Sequence, residues 1–545
     1  MADDRKELIM DRRAFLHAAA GAGTAALAGP PAAAFNAAVS QSASGQLNRP
    51  TPALEKLADI SRPAGARKIK NILFFLSDQQ RQDSLGCYGH PFIQTPVVDR
   101  LARDGVRFDN AFTPAATCSP ARACIQTGLL PHRHGLMFNS GSFSAASGGK
   151  DNLEPNLNLF APSLKEKKFA LAHIGKWHIG VDNRPEHYGY EGVYYPDYGF
   201  PDKHPHYLEY LKTLGVDGFK IADEVRPATG PHGKTYVYAG IQRGPAEATE
   251  AGYLASQTID TLRRFAKSDR PFFISCNFWG PHGPYYIDEK HYRMYAGRKV
   301  PVWRNFKYDM SAKPDIIRRY GDYWNSSRLS EAELSSLLAV YFGYISLIDD
   351  QMGRVMRALD ELGLTDETLV VYSADHGATE GSHGMWDKGF GMYDCTQRIP
   401  LVISHPSLRG RAAVSKEYVT LMDLAPTFWE AAGVRPPHRC DGRSLWPVIE
   451  DPARPREKDF IVLQQFGHQA PYWQRMVRTD TEKYIYNPLD RDEFYDLRED
   501  PDEMRNIIGR VPPGKLTEFR DRLREFITAT QDPIAFWSAN TLYNG

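Results

Sequence analysis

The chain has 545 residues, enough for roughly three or four domains and a large core, and its 66 basic and 66 acidic side chains give zero net charge. Zero net charge argues against a general nucleic-acid-binding protein, which carries a basic excess. Six cysteines without a Cys-x-x-Cys pair exclude a disulfide scaffold and a zinc site of that spacing.

The first residues predict export. Arg12 and Arg13 precede a mildly apolar, alanine-rich run that closes with a small-residue cleavage site. We interpret residues 1–34 as a twin-arginine-type signal peptide and residues 35–66, rich in Ala, Ser, Pro and Gln, as a linker. We identify no other segment of membrane-spanning length, so the exported protein is expected to be soluble, without membrane association, and periplasmic or secreted. The alternative is a cytoplasmic protein with an alanine-rich leader.

Residues 71–76 form a short, continuous apolar run, which predicts a buried central strand of a parallel sheet. Asp78 and Gln79 follow closely. Ligands of open α/β sheets bind at the carboxyl ends of strands, so Asp78 is a candidate metal ligand. A helix cap is the alternative role for Asp78.

Residues 117–128 carry the most distinctive pattern of the chain. Cys118 is followed by Pro120 and Arg122, and proline suits a first helical turn, so we predict a helix that starts at Pro120. The position ahead of a helix faces its positive dipole end, which favours anionic groups. The pattern indicates a nucleophile beside a cation, suited to a negatively charged substrate. A buried structural cysteine is the alternative.

Two further strand-like runs carry polar residues at their ends. Residues 169–174 lead to Lys176 and His178, which an extended segment would place on the same side. Residues 272–278 lead to a Gly-Pro-His-Gly-Pro turn that contains His282. A surface position for the first pair and a turn cap for His282 are the alternatives.

Another polar strand end lies far along the chain, after a long helix predicted over residues 330–363 from its apolar spacing. A buried run at 368–373 leads to Asp375 and His376. Parallel strands that are neighbours in a sheet bring their tips together, so Asp375 is expected close to Asp78.

These motifs, in this order, resemble the sulfatase family of the alkaline phosphatase superfamily. The resemblance rests on Cys-x-Pro-x-Arg with the following Thr-Gly, Gly-Lys-Trp-His, Gly-Pro-His, Asp-His and the segment around Lys388, and it covers residues 68 to 530. It implies that a formylglycine-generating enzyme oxidises Cys118 to formylglycine (3-oxoalanine), an aldehyde whose hydrate attacks sulfur.

The resemblance also implies roles for the site residues. The catalytic set is Cys118, Arg122, Lys176, His178, His282 and Lys388. One divalent cation is held by Asp78, Gln79, Cys118, Asp375 and His376. The oxygen ligands favour Ca²⁺, and the histidine leaves Mg²⁺ or Mn²⁺ open. Substrate contacts are assigned to Lys176, His282, Lys388 and His383, the last also as a candidate general acid.

We predict an α/β fold: a large mixed, mainly parallel sheet flanked by helices, alkaline-phosphatase-like, plus a small C-terminal antiparallel sheet with one helix. The catalytic domain spans 67–436 and includes an insertion at 183–245, rich in Tyr, His, Pro and Gly. Rings of the insertion would stack on a sugar or choline-like group, or pack as an ordinary loop. Proline breakers open a C-terminal subdomain over 437–545.

The predicted function is hydrolysis of a sulfate monoester of a carbohydrate or of an aryl or alkyl alcohol. Many members of the resembled family carry a second aspartate where this chain has Gln79, and the choline sulfatase and phosphonate monoester hydrolase branches share that departure. A phosphonate monoester or phosphodiester hydrolase is therefore the first alternative. A non-catalytic binding protein with a decayed site is the second.

Overall fold

The computed structural model describes residues 69–141, 149–154, 157, 159–195, 199–226, 237–436 and 439–542. The predicted signal peptide, 1–34, and linker, 35–66, lie outside these residues.

The strands are, in chain order, β1 (Asn71–Ser77), β2 (Gly105–Phe108), β3 (Ala111–Phe112), β4 (Ala170–Lys176), β5 (Tyr194–Tyr195), β6 (Ile221–Val225), β7 (Ala239–Gln242), β8 (Phe272–Asn277), β9 (Tyr285–Ile287), β10 (Thr368–Ala374), β11 (Leu401–Ser404), β12 (Ala413–Ser415), β13 (Val419–Thr420), β14 (Phe460–Gly467), β15 (Pro471–Thr479), β16 (Glu482–Tyr486) and β17 (Glu493–Asp496). The α-helices are α1 (Pro96–Arg103), α2 (Cys118–Thr127), α3 (Pro131–His134), α4 (Phe160–Glu166), α5 (Pro205–Thr213), α6 (Glu250–Phe265), α7 (Glu289–Tyr295), α8 (Asp315–Trp324), α9 (Glu331–Glu361), α10 (Asp394–Gln397), α11 (Leu424–Ala431), α12 (Trp446–Glu450), α13 (Pro513–Thr530) and α14 (Ala535–Thr541).

The large sheet has eight strands in the order β12-β2-β11-β10-β1-β8-β4-β5. Strands β10, β1, β8, β4 and β5 are parallel to one another, and β11 runs antiparallel to both β10 and β2. The predicted mixed, mainly parallel sheet is therefore confirmed.

Helices cover both faces of this sheet, and the side chains of its central strand β1 point alternately toward the two faces. Leu73 and Phe75 of β1 belong to the core on the side of α6 and α9. Phe74 of β1 belongs to the core on the other side, where its ring centroid lies 5.6 Å from that of Phe428 in α11. A strand buried on both faces reads as a continuous apolar run, which is why β1 was recognisable from sequence.

Helix α9 is 31 residues long, and its apolar side chains are buried in the core on the side of Leu73 and Phe75. Ser330 begins the helix with a capping box, in which its hydroxyl accepts from Glu333 N at 3.2 Å. The expectation that no segment outside the leader reaches membrane-spanning length is wrong, because α9 is long and apolar enough by length and composition. Its most apolar window is 72% buried inside the fold, as in a core helix.

Within the predicted insertion, residues 183–195, 199–226 and 237–245 are described. They contribute β6 and β7 to a three-stranded sheet with β9. The tyrosines at 188, 190, 195 and 207 are buried. These four rings therefore pack inside the protein, as the packing alternative predicted. Phe200 extends this packing toward the strand ends, with its ring 5.4 Å from that of Trp279.

The C-terminal part forms an antiparallel sheet in the order β14-β15-β16-β17, as predicted. Its core packs Tyr484 and Phe494 against Phe519 and Leu523 of α13. Two further helices within residues 437–545, α12 and α14, accompany the single one that was expected. The division at residue 437 stays a prediction.

Candidate active site

The site begins where two neighbouring strands end. Ser77 of β1 faces Ala374 of β10 in parallel register, so Asp78 and Asp375 come next on the same edge of the sheet. Both carboxylates are fully buried. The N–H of Gln79 donates to Asp375 Oδ1 at 3.1 Å, which ties the two strand ends together.

Four side chains converge at this edge and suit a metal ion. Their ligand atoms lie within 4.8 Å of one another and belong to Asp78, Cys118, Asp375 and His376. His376 Nδ1 donates to the carbonyl of Gly377 at 2.8 Å, so the Nε2 lone pair faces the group. Buried carboxylate oxygens with a correctly oriented imidazole nitrogen fit a divalent cation.

Helix α2 places Cys118 at its first turn, buried against the strand ends. The predicted start at Pro120 is wrong by two residues, because the first turn needs no N–H from proline at any of its positions. Burial, with the Asp78 carboxylate adding to it, raises the pKa of the Cys118 thiol to about 11. The unmodified thiol is therefore protonated at neutral pH and a weak nucleophile.

Arg122 lies one turn along α2 and bridges the two carboxylates. Its Nη2 is 2.9 Å from Asp78 Oδ2 and its Nε is 2.8 Å from Asp375 Oδ2. A third donor, Nη1, reaches the carbonyl of Lys176 at 2.8 Å. These contacts hold two strand ends and the tip of β4 around one guanidinium.

Lys176 is the last residue of β4 and is fully buried. Its ammonium group lies 2.7 Å from Asp78 Oδ2 and 3.6 Å from Cys118 Sγ. Burial alone would raise the pKa of Asp78, but the charges of Lys176 and Arg122 outweigh it and hold that pKa well below its usual range. Burial and the Asp78 charge raise the pKa of Asp375.

A second ammonium group, that of Lys388, contacts three side chains. It lies 2.8 Å from Gln79 Oε1, 2.6 Å from His282 Nε2 and 3.0 Å from Asp387 Oδ1. A lysine only donates, so His282 Nε2 accepts and Nδ1 carries the proton, which it gives to Gly283 O at 2.6 Å. Burial and the Lys388 charge lower the pKa of His282, consistent with a neutral ring.

His178 differs from its expected geometry. β4 ends at Lys176, and His178 has a left-handed backbone (φ 56°), so the two do not share one extended segment. The carbonyl of His178 accepts from Ser119 Oγ at 2.5 Å, which joins its loop to α2. Burial, followed by the charges of Lys176 and Arg122, lowers the pKa of the His178 ring.

His383 does not join the cluster in its described contacts. Its Nδ1 lies 2.7 Å from the Tyr308 hydroxyl, its Nε2 lies 3.1 Å from Asn305 Nδ2, and the ring stacks on Tyr393 with centroids 4.0 Å apart. The backbone at His383 is left-handed, with φ of 56°, so the loop turns there. These contacts do not support its assignment as a general acid and substrate contact, which stays a prediction.

Sequence analysis missed two residues that contact partners of Lys388. Glu380 Oε1 accepts from Gln79 Nε2 at 2.9 Å. His468, from the end of β14, lies with Nε2 3.0 Å from Asp387 Oδ2. Neither belongs to a recognisable motif, since each meets its partner only across a large separation in the chain.

Comparison with known proteins gives this geometry a family. The Sulfatase family model matches residues 70–434, and the model described as N-sulphoglucosamine sulphohydrolase, C-terminal, matches residues 381–531. N-acetylglucosamine-6-O-sulfatase from Bacteroides thetaiotaomicron is 29% identical over 482 residues, which cover 82% of this chain and 84% of that protein.

Two solved structures share the fold. Phosphonate monoester hydrolase of Agrobacterium radiobacter superposes with a TM-score of 0.70 at 23% identity, covering 85% of this chain and 95% of that one. A protein solved with its substrate D-glucosamine-2-N,6-O-disulfate superposes with a TM-score of 0.67 at 23% identity, covering 87% of this chain and 100% of that one. Because the Sulfatase family model matches most of its length, the chain belongs to the sulfatase family and is a sulfuric ester hydrolase.

Proposed function

We propose that this protein hydrolyses a sulfate monoester by means of a formylglycine made from Cys118 and one divalent cation. The observation that carries the proposal is the convergence of Cys118 with Asp78, Asp375 and His376 within 4.8 Å. A buried ammonium group, that of Lys176, lies 3.6 Å from the sulfur and suits an anionic ester.

The maturation partner in this proposal is a formylglycine-generating enzyme, which oxidises the thiol of Cys118. The sulfur atom marks the place that oxygens would take after conversion. Residue 118 would then supply an aldehyde hydrate. One hydroxyl would lose its proton and bond to the ester sulfur as the bond from sulfur to the alcohol oxygen breaks. The other hydroxyl would then lose its proton as the carbon–oxygen bond to sulfate breaks, which releases sulfate and re-forms the aldehyde.

We assign the cation to Asp78, Asp375 and His376, with the converted residue 118 and the side-chain oxygen of Gln79 as the other expected ligands. Ca²⁺ is the preferred ion because most of these ligands are oxygens, and Mg²⁺ or Mn²⁺ is the alternative. When bound, it would acidify the attacking hydroxyl and offset charge on the sulfuryl oxygens.

The side chains of this protein supply the remaining chemistry. The charges of Lys176 and Lys388 both act on Cys118, and we assign these two ammonium groups to stabilising the charge that develops on the sulfuryl group. Lys388 gives a proton to the departing alcohol oxygen, and the neutral His282 ring orients its ammonium group. Arg122 keeps the two carboxylates in place.

A sulfated saccharide is the substrate class that we propose. The named relative from Bacteroides thetaiotaomicron acts on N-acetylglucosamine-6-O-sulfate groups by its name, and the structure with a glucosamine disulfate supports the same class. The choice of sugar and of its sulfated position is open in this proposal.

A phosphonate monoester hydrolase is the second candidate, because Gln79 is a neutral side chain and a phosphonate monoester hydrolase shares the fold. Turnover of an aryl sulfate is compared with that of the matching aryl phosphonate monoester. A higher kcat/KM for the sulfate is expected. A large preference for the phosphonate would reverse the assignment.

Cys118→Ala tests the nucleophile. We expect kcat to fall by at least about 10³-fold with unchanged folding, because the substitution removes the reacting group and only a small buried side chain. Cys124→Ala, on the same helix and also buried, is the matched control and should retain turnover. Intact-mass analysis of the Cys118 peptide from natively produced protein should show the aldehyde. An unmodified thiol in active protein would contradict the proposal.

We also propose export by the twin-arginine pathway to the periplasm or beyond. Replacing Arg12 and Arg13 with lysine should retain the protein in the cytoplasm, as followed by cell fractionation. Unchanged export of this variant would point to another route.

A further inference from the structure

The main chain of Gln79 is held by hydrogen bonds at both its N–H and its carbonyl. Its N–H donates to Asp375 Oδ1 at 3.1 Å, and its carbonyl accepts from the Tyr341 hydroxyl at 3.2 Å. The residue is buried and has a left-handed backbone with φ of 60°. The main chain is therefore fixed, and only the rotation of the amide remains to be determined.

An amide at this position raises an orientation problem that a carboxylate does not have. A carboxylate offers two equivalent oxygens, whereas an amide offers an oxygen on one side and an N–H donor on the other. An inverted amide would aim its N–H groups at the ammonium group of Lys388. Some neighbour must therefore select the useful rotation.

Glu380 is that neighbour. Its Oε1 accepts from Gln79 Nε2 at 2.9 Å, while Lys388 Nζ donates to Gln79 Oε1 at 2.8 Å. Lysine only donates, so both contacts demand the same rotation of the amide. Inverting it would turn two hydrogen bonds into two repulsive contacts inside a site from which water is excluded.

Glu380 is itself anchored. It is fully buried, and its carbonyl accepts from Trp303 Nε1 at 2.9 Å. Its backbone is left-handed, with φ of 44°, as is that of Gln79. Two non-glycine residues in this uncommon conformation, hydrogen-bonded to each other, indicate positions that the surrounding fold over-determines.

We propose that Glu380 is a positioning residue that sets the rotation of the Gln79 amide and, through it, the position of Lys388. The proposal deepens the proposed function and rests on it for the role of Lys388 at the departing alcohol. The relay itself, from Glu380 through Gln79 to Lys388, is independent of the reaction.

A reciprocal exchange tests the relay without activity. Gln79→Glu places two carboxylates against each other, so this variant should lower the Tm in chelator-treated protein. Glu380→Gln keeps an acceptor oxygen for Gln79 but also offers a donor, so it no longer selects one rotation and its own Tm loss should be smaller. The double variant Q79E/E380Q restores one carboxylate and one amide with the hydrogen bond reversed. It should recover at least half of the Tm loss of Q79E. Losses that simply add would overturn the proposal.

The matched control is Glu417→Gln in the Q79E background. Glu417 is a buried glutamate paired with Arg443 at 2.5 Å and has no described contact with the relay, so its effect should add to that of Q79E. If Q79E does not yield folded protein, Gln79→Leu replaces it. There Glu380 lacks its partner, so adding E380Q should raise the Tm, and a further fall would overturn the proposal.

Leaving-group dependence tests the effect on Lys388. For an aryl sulfate with a poor leaving group, E380Q should lower kcat/KM about tenfold or more, and for an activated one by about twofold, because only the poor leaving group depends on a placed proton donor. An equal fall for both would overturn the positioning role. Absence of sulfatase activity in the wild type would instead count against the proposed function. The Tm values of the single and double variants would still test the contacts from Glu380 through Gln79 to Lys388.

Discussion

Glu250 lies at the start of α6, buried, with Oε1 accepting from the N–H of Trp279 at 2.8 Å. Trp279 begins the turn that carries His282, so this contact fixes the entry to that turn. Burial, with the Asp78 carboxylate adding to it, raises the pKa of Glu250 to about 8. At neutral pH the carboxyl group is mostly protonated, and it still accepts the hydrogen bond.

This shift predicts a pH-dependent stability. A carboxyl whose pKa rises from 4.5 to about 8 on folding contributes stability fully below the lower value, and loses it as pH rises through the upper one. Wild type should therefore lose free energy of unfolding between pH 5 and pH 9, whereas Glu250→Gln lacks this loss. The difference between the two proteins should change by several kcal/mol in favour of the variant. Urea unfolding at pH 5, 7 and 9 measures it. Glu361→Gln, on the surface, is the control, and its free energy of unfolding should change with pH as that of wild type does. The raised pKa of Glu250 would be refuted if the free energy of unfolding of E250Q changed equally with pH.

Arg122 shows the cost of an unpaired buried charge. Removing it by Arg122→Met leaves Asp78 and Asp375 facing each other without their bridging cation, and breaking a buried pair costs about 3–5 kcal/mol. Denaturant unfolding of chelator-treated protein should show this loss, and added Ca²⁺ should recover part of it.

Arg133→Met provides the comparison. Arg133 pairs with Asp441 at 2.8 Å but is partly exposed, so its loss should be clearly smaller. No recovery of R122M by any divalent ion would contradict the proposed cation site.

At the scale of elements, α2 must stop where its chain turns toward α3. Gly128 ends the helix with φ of 69°, and a Cβ there would lie 2.9 Å from Cys440 Cβ. The backbone needs a left-handed residue, and the packing leaves no space for a side chain.

Gly128→Ala should therefore destabilise the protein by about 2 kcal/mol or more, since strain and a steric clash act together. Gly215 has a similar φ of 71°, but no atom lies within 4 Å of the position that its Cβ would take, so Gly215→Ala isolates the strain alone. Thermal unfolding should show a smaller loss for G215A. Equal losses would mean that the contact with Cys440 relaxes freely.

At the scale of the whole molecule, largely buried charges join the C-terminal sheet to α10, which follows the loop that carries Lys388. Asp394 of α10 lies 2.6 Å from Lys483 Nζ and 2.9 Å from Arg478 Nη2, both on the C-terminal sheet. Lys483 also pairs with Glu503 at 2.5 Å. The sheet therefore holds the segment just after Lys388 in place.

Asp394→Asn should lower the free energy of unfolding by about 3 kcal/mol, because it leaves buried cations short of a partner. It should also reduce kcat, since the Lys388 loop loses its support. The surface pair Asp496–Arg498 is the control, and Asp496→Asn should cost less than about 1 kcal/mol. A stability loss with unchanged kcat would show that the loop stands without the C-terminal sheet.

The sheet was largely predictable, and the reasons are visible in particular strands. β1 and β10 are buried on both faces, so each is a continuous apolar run, and each is followed by an aspartate. Helix α9 begins at a capping serine and carries apolar residues at helical spacing. The expected extended geometry of Lys176 and His178 was wrong, because a left-handed residue after β4 leaves no mark in the apolar pattern. The catalytic role of His178 stays a prediction.

The sequence by itself determined which segments are buried strands, which residues stand at their ends, and which motifs resemble the sulfatase family, because these are local patterns of polarity and spacing. Only the tertiary structure decided that His383 contacts Tyr308, Asn305 and Tyr393. It likewise decided that Glu380 contacts Gln79 and that His468 contacts Asp387. Glu380 and Gln79 are 301 positions apart, and His468 and Asp387 are 81 apart. A hydrogen bond across such a separation depends on how packed elements place two loops, and neither segment carries that information alone.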